Sequence, residues 1–222
     1  MKGNKNRFKI KYILAYLPRV VMPVFYAIFR TKVYLSKDAD RSILCPQGCA
    51  LIVANHVNYL DPLVITQVFW RRRLRYIIGE AAAASNWKKF VYRHLGCIRI
   101  DRNSVDFASI KEAVNLLREG EAMTVFPEGK LHLHAEEVSE FKAGAALMAV
   151  IAGAPIIPVY ITPKKNCASR VSVMIGAPMD AVSICGRFPT AEGLERLAGE
   201  LRARVCELKD ELENVSSKEE KK

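Results

Sequence analysis

A histidine and an aspartate five positions apart, His56 and Asp61, follow the unbroken apolar run Ala50–Ala54. On a straight helix such a pair lies about 140° apart, and on a strand it falls on opposite faces, so the two side chains meet only if the chain turns between them. The sequence supplies that turn, with a strand ending near Ala54 and Pro62 suited to the first position of a following helix. Asp61 precedes the proline and is biased out of the helical region, so one carboxylate oxygen is free to cap the helix while the other orients the imidazole. His56 is then a general base for a hydroxyl, and Asp61 stabilises the imidazolium. Proton transfer of this kind typically contributes about 10²–10⁴-fold. The plainer alternative is a buried histidine beside a simple N-cap.

A second cluster, Phe126-Pro127-Glu128-Gly129, closes the apolar run Ala122–Val125. Pro127 restrains the backbone, while Gly129 permits positive φ and close approach by a ligand. A carboxylate at Glu128 suits the hydroxyls of a polyol acceptor; an ordinary turn with a solvated Glu is the competing reading. Arg102 ends the stretch Ile98-Arg99-Ile100-Asp101, where α/β sheets place ligands, and its guanidinium suits phosphate. A surface pair of Arg102 with Asp101 or Asp106 is the alternative. Lys142, in Phe141-Lys142-Ala143-Gly144, either adds a cation to the site or opens a helix.

The elements that must hold these residues are legible as short apolar runs alternating with helical stretches. Leu51–Ala54, Arg75–Ile78, Cys97–Ile100, Ala122–Phe126, Ile156–Ile161 and Val171–Ile175 read as strands. Pro62–Trp70, Ala83–Leu95, Val105–Arg118 and Phe141–Ile151 read as helices, and Ala191–Glu213 as a closing amphipathic helix. Such alternation predicts an α/β fold with a largely parallel central sheet flanked by helices. The expected domain covers residues 38–215, after a basic, apolar segment at 1–37 and before a charged, disordered tail at 216–222.

The net charge of +11 concerns partners rather than fold. Nine basic residues precede the first acidic one, Asp38, and flank an aromatic, apolar stretch from Ile10 to Phe29. Basic residues at an anionic leaflet contribute roughly 1 kcal/mol each. Arg19 at the centre of the stretch, with Pro18 and Pro23, favours a two-helix monotopic anchor over a true span. A small-residue cleavage site is lacking, which argues against a signal peptide. Six cysteines without CxxC spacing point to reduced thiols and no metal, although His132-x-His134 is a weak metal motif. Nucleic acid as a partner is disfavoured, because the aromatics sit inside the apolar segment instead of among exposed basic residues. A hydrolase reading fares worse, because no Gly-x-Ser-x-Gly elbow occurs.

Four clusters in one order are more specific than any alone. Asn55-His56-x4-Asp61, Gly96-Cys-Ile-Arg-Ile-Asp101-Arg102, Phe126-Pro127-Glu128-Gly129 and Ala154-Pro155-Ile156-Ile157-Pro158-Val159 resemble the four blocks of the glycerolipid acyltransferase family. Its best-known members are the 1-acylglycerol-3-phosphate O-acyltransferases, and the resemblance covers roughly residues 45–180. It implies transfer of a fatty acyl group from acyl-CoA or acyl-carrier protein to a lysophospholipid hydroxyl in phospholipid biosynthesis, with no metal or bound cofactor. His56 falls on the family's base and Asp61 on its orienting partner. The expected substrate-binding set is Asn55, Arg102, Glu128, Gly129, Lys130 and Lys142. The expected setting is the cytoplasmic face of the cell membrane, with the chain peripheral or monotopic on an anionic surface. One departure bears on the acceptor: where the family continues Thr-Arg-Ser after Phe-Pro-Glu-Gly, this chain has Lys130-Leu131-His132. Another lyso-lipid, such as an amino-lipid, therefore stays open beside 1-acylglycerol-3-phosphate, as does a non-catalytic lipid-binding role for the same fold.

Overall fold

The computed structural model describes residues 30–79, 92, 96–100, 106–133, 135–163 and 170–220. Strands β2 (Ala50–Ala54), β5 (Ala122–Val125) and β6 (Ile156–Ile161) are buried at every position. Runs of this kind suit a sheet covered on both faces, and these three strands lie side by side in it. The other strands are β1 (Lys32–Leu35), β3 (Leu74–Gly79), β4 (Ile98–Ile100) and β7 (Ser172–Ile175). Among the described residues the order is β1-β7-β6-β2-β5-β3-β4. All neighbours run parallel except β6 with β7. The expected α/β fold with a largely parallel sheet is present.

Side chains alternating along each strand feed two cores. On one face Val64, Ile65 and Val68 of α1 (Asp61–Val68) pack with Ile52, Ala54 and Ile157. On the other, α2 (Phe107–Arg118) and α3 (Gly144–Ala152) cover Leu51, Val53, Met123 and Val125. Helix α2 starts cleanly because the Asp106 side chain accepts from Ser109 N, and α3 stops at Gly153, whose left-handed φ of 63° a side chain would resist. A short α4 (Ala181–Cys185) leads into α5 (Ala191–Glu220), whose Val205, Leu208 and Leu212 seal Tyr160 and Met174. Pro158 sits inside β6, where a missing N–H would usually break a ladder. The pairing with β7 runs only from Val159 to Ile161, and the Pro158 carbonyl accepts from Gly176 N just beyond it. A strand residue aims its N–H and C=O to the same side, so the absent donor faces β7 at the end of that ladder and removes no bond to β2.

Two expected boundaries are corrected. The domain begins before residue 38, because Lys32–Leu35 pairs in register with Ser172–Ile175. Lys32 Nζ reaches Glu219 Oε2 at 2.7 Å and Tyr34 Oη donates to the same oxygen at 2.9 Å. Those contacts also explain the second correction: Ser216–Glu220 is no disordered tail but the last part of α5. The expected anchor lies mainly in residues 1–29, and the expected helix Ala83–Leu95 in 83–95; both fall outside the described residues apart from Tyr92. Among the described residues no helix is long and apolar enough to cross a membrane. Cys45, Cys49, Cys97, Cys185 and Cys206 are free thiols.

Candidate active site

The register of the sheet builds the site. Strand β2 pairs with β5 from Ala50 with Ala122 to Val53 with Val125. Continuing that register past both C-terminal ends sets His56 beside Glu128. The chain leaves β2 through α1 on one face and leaves β5 through α3 on the other. Adjacent strands whose connections part to opposite faces open a crevice at their carboxyl ends, where α/β sheets bind ligands.

In that crevice His56 Nδ1 lies 2.9 Å from Asp61 Oδ2. The same oxygen accepts the amides of Val57 and Asn58, each at 2.8 Å. The expected turn is present, but the division of labour differs: one carboxylate oxygen both holds the turn and orients the ring. The capping expectation is corrected, since α1 has Leu60 at its N-cap and no side-chain cap bond. Asp61 is the first helical residue, and its charge there also suits the helix dipole. The His56 ring stacks on Phe126 with centroids 4.3 Å apart, so it is held from the side as well as from Nδ1. With Nδ1–H given to a carboxylate, Nε2 is the nitrogen left to take a proton. The Asp61 side chain is 2% exposed and that of His56 19%, as expected for a buried orienter beneath a reachable base.

Glu128 lies against the backbone of the base. Its Oε1 accepts the His56 amide at 3.2 Å, its Oε2 is buried without a hydrogen bond among the described residues, and its side chain is 1% exposed. Oε1 of this inward-turned carboxylate braces the base's backbone. Burial pushes the Glu128 carboxyl above its ordinary value and Asp61 adds to this, while the His56 amide and the His132 and His56 rings oppose it. Gly129 has φ of 71°, and a side chain there would meet Lys142 Cε at 3.0 Å, so the glycine leaves room for Lys142 to lie across the loop. Lys130 and Lys142 are both exposed on this rim.

Asn55 ties two strands together. Its Oδ1 accepts Ile161 N at 2.8 Å and its Nδ2 donates to Ile161 O at 2.9 Å, which stitches the end of β2 to β6. Arg102 lies outside the described residues, as does His134 of the His-x-His motif. The residue that sequence reasoning undervalued is His132. Its amide donates to the His56 carbonyl at 3.0 Å, and its Nε2 faces Glu128 Oε2 at 3.7 Å. Its place four residues after Glu128 was the available signal.

Comparison with known proteins assigns the class. The family model described as Acyltransferase matches residues 31–162, more than half of the 222 residues, and the chain belongs to the acyltransferase family. A Bacillus subtilis relative named 1-acyl-sn-glycerol-3-phosphate acyltransferase is 23% identical over 170 residues, 74% of this chain and 83% of its own length. A Mycoplasma pneumoniae protein, "Probable 1-acyl-sn-glycerol-3-phosphate acyltransferase", is 33% identical over 122 residues, 52% of this chain. The match spans only 45% of that relative's length. The solved 1-acyl-sn-glycerophosphate (LPA) acyltransferase PlsC from Thermotoga maritima superposes with a TM-score of 0.64 and 22% identity, over 93% of this chain and 84% of that one. That likeness shows the shared fold.

Proposed function

We propose that this chain is a membrane-surface O-acyltransferase of phospholipid biosynthesis. It moves a fatty acyl group from acyl-CoA or acyl-carrier protein to the free hydroxyl of a lysophospholipid, foremost 1-acylglycerol-3-phosphate. The observation that carries this reading is the 2.9 Å contact between His56 Nδ1 and Asp61 Oδ2 at the carboxyl end of β2. His56 Nε2 takes the acceptor hydroxyl's proton as the oxygen attacks the thioester carbonyl carbon. The tetrahedral intermediate collapses, the C–S bond breaks, and the imidazolium returns the proton to the departing thiolate. Asp61 stabilises the imidazolium throughout. The scheme uses no metal or bound cofactor.

The acceptor is suggested by the names of the relatives and by Lys130 and Lys142, two exposed cations beside Gly129 that suit a phosphate. Leu131, half-buried where the family's arginine is expected, favours the second reading, an acceptor with a different headgroup. The membrane surface is supported by what surrounds the base. Tyr59 and Leu60, in the turn between His56 and Asp61, and Leu133, next to His132, are 74%, 43% and 51% exposed. Apolar side chains beside cations at the mouth of a site match the boundary of an anionic leaflet.

A panel of lyso-lipids, each assayed with CoA and carrier-protein thioesters, tests the proposal. Acyl transfer to at least one lysophospholipid is expected, with Leu131→Arg improving use of the phosphomonoester acceptor. Absence of transfer across the panel, with the protein folded and bound to vesicles, would leave the lipid-binding reading in its place.

A further inference from the structure

The feature left over from this scheme is a buried carboxylate oxygen with one basic partner. Glu128 Oε1 is used by the His56 amide, and Oε2 has no hydrogen bond among the described residues. A buried carboxylate with an oxygen unmatched is unfavourable unless a counter-charge is close. His132 Nε2, at 3.7 Å, is in that position, and its side chain is 35% exposed while that of Glu128 is 1% exposed. The ring is carried by a backbone that is itself bonded to His56, through the His132 amide and the His56 carbonyl. Each end of this arrangement therefore terminates on the proposed base.

We propose that His132 is a positioning residue: its imidazolium is the counter-charge of the buried Glu128 carboxylate, and the pair holds the His56 backbone in its catalytic pose. It stands where the resembling family has a serine, so the device belongs to this chain's own sequence. The groups around Glu128 are consistent with the assignment. Asp61 from α1 repels a second negative charge, the His56 ring stacks on Phe126 and is tied to Asp61, and Lys142 lies across Gly129 with its amine on the exposed rim. His132 is left as the cationic partner that faces Oε2 directly.

The inference rests on His56 being the base, and the experiment separates the two. The full chain is prepared with labelled glutamate side-chain carboxyl carbons, and the Glu128 resonance is assigned by its loss in Glu128→Gln. An opposite charge at this range generally moves a carboxyl titration by about one to three pH units. In His132→Gln and His132→Ala the Glu128 titration is expected to move to higher pH, and the loss of kcat to grow as pH falls. His132→Lys is expected to restore both, with KM for the acceptor little changed. An unmoved Glu128 titration in His132→Gln, or a kcat loss equal at all pH values and not rescued by lysine, overturns the proposal. His56→Ala run in parallel tests the other reading: if it keeps full turnover, the base assignment fails, whatever His132 does.

Discussion

The backbone amide of His56 donates to the Glu128 carboxylate at 3.2 Å, across two strand ends that the β2–β5 register brings level. The proposed base is thus fixed twice by acids: Glu128 holds its main chain and Asp61 its ring. This double fixing separates what orients the base from what touches substrate, and it assigns different outcomes to substitutions that look alike in sequence.

Asp61→Asn keeps the size of the side chain and removes the charge that Nδ1 and two amides share. Turnover is expected to fall by roughly 10²–10⁴-fold, since the imidazolium loses its stabiliser and the ring its tautomer. Steady-state kinetics with a thioester donor check this, and a fall in KM affinity with kcat preserved would argue for a binding role instead.

Asn55→Ala should act on stability and not on recognition. Both bonds to Ile161 are lost in a buried setting, at a cost of about 2–6 kcal/mol, with each orphaned group contributing about 1–3. Denaturant unfolding measures the loss, while acceptor KM in the folded protein is expected to stay at the native value. Native stability with a raised KM would restore the substrate-binding role that the sequence suggested.

Glu128→Gln carries a pH signature whose sign follows from burial. The folded-state carboxyl titrates above its unfolded value, so folding is favoured by protonation there: stability is gained as pH falls through the folded titration and is lowest once Glu128 is ionised. The glutamine variant lacks that ionisation. It is therefore expected to melt above the native protein at neutral to alkaline pH and to lose that advantage on acidification, while its activity drops. Melting curves across pH test this, and a difference that does not vary with pH would show that Glu128 is not a strained, buried charge.

Gly129→Ala places a methyl group at φ of 71° and 3.0 Å from Lys142 Cε. The backbone conformation costs about 1–2 kcal/mol, and the flexible lysine is displaced as well. The variant is expected to melt lower and to bind a phosphate-bearing acceptor less well. Adding Lys142→Ala should relieve the contact without restoring the melting temperature, and full recovery in the double variant would locate the cost in the side-chain clash alone.

Much of this was readable in the chain because the physics was local. The central strands announce themselves as apolar runs, since a sheet covered on both faces leaves no position for a polar residue in β2 or β6. The His56–Asp61 meeting followed from a turn that Pro62 implied. What the sequence hid depends on contacts between distant segments. β1 reads as part of a basic membrane anchor because its partner β7 lies about 140 residues on, and Ser216–Glu220 reads as a tail because Glu219 finds Lys32 only in the fold. Asn55 and Glu128 sit among residues of a recognisable motif, yet each turns inward to the backbone, a direction no spacing rule reveals. His132 was visible as a possible metal ligand, while its partner proved to be the carboxylate four residues before it.

The central claim is that a single imidazole accepts the proton of the attacking alcohol. The most direct measurement is acyl transfer by His56→Ala from a thioester to a lysophospholipid presented in anionic vesicles, with vesicle binding and melting temperature recorded on the same preparation. A loss of at least about 10²-fold in kcat with binding and folding retained is the predicted result. Undiminished turnover in a folded, vesicle-bound variant would contradict it.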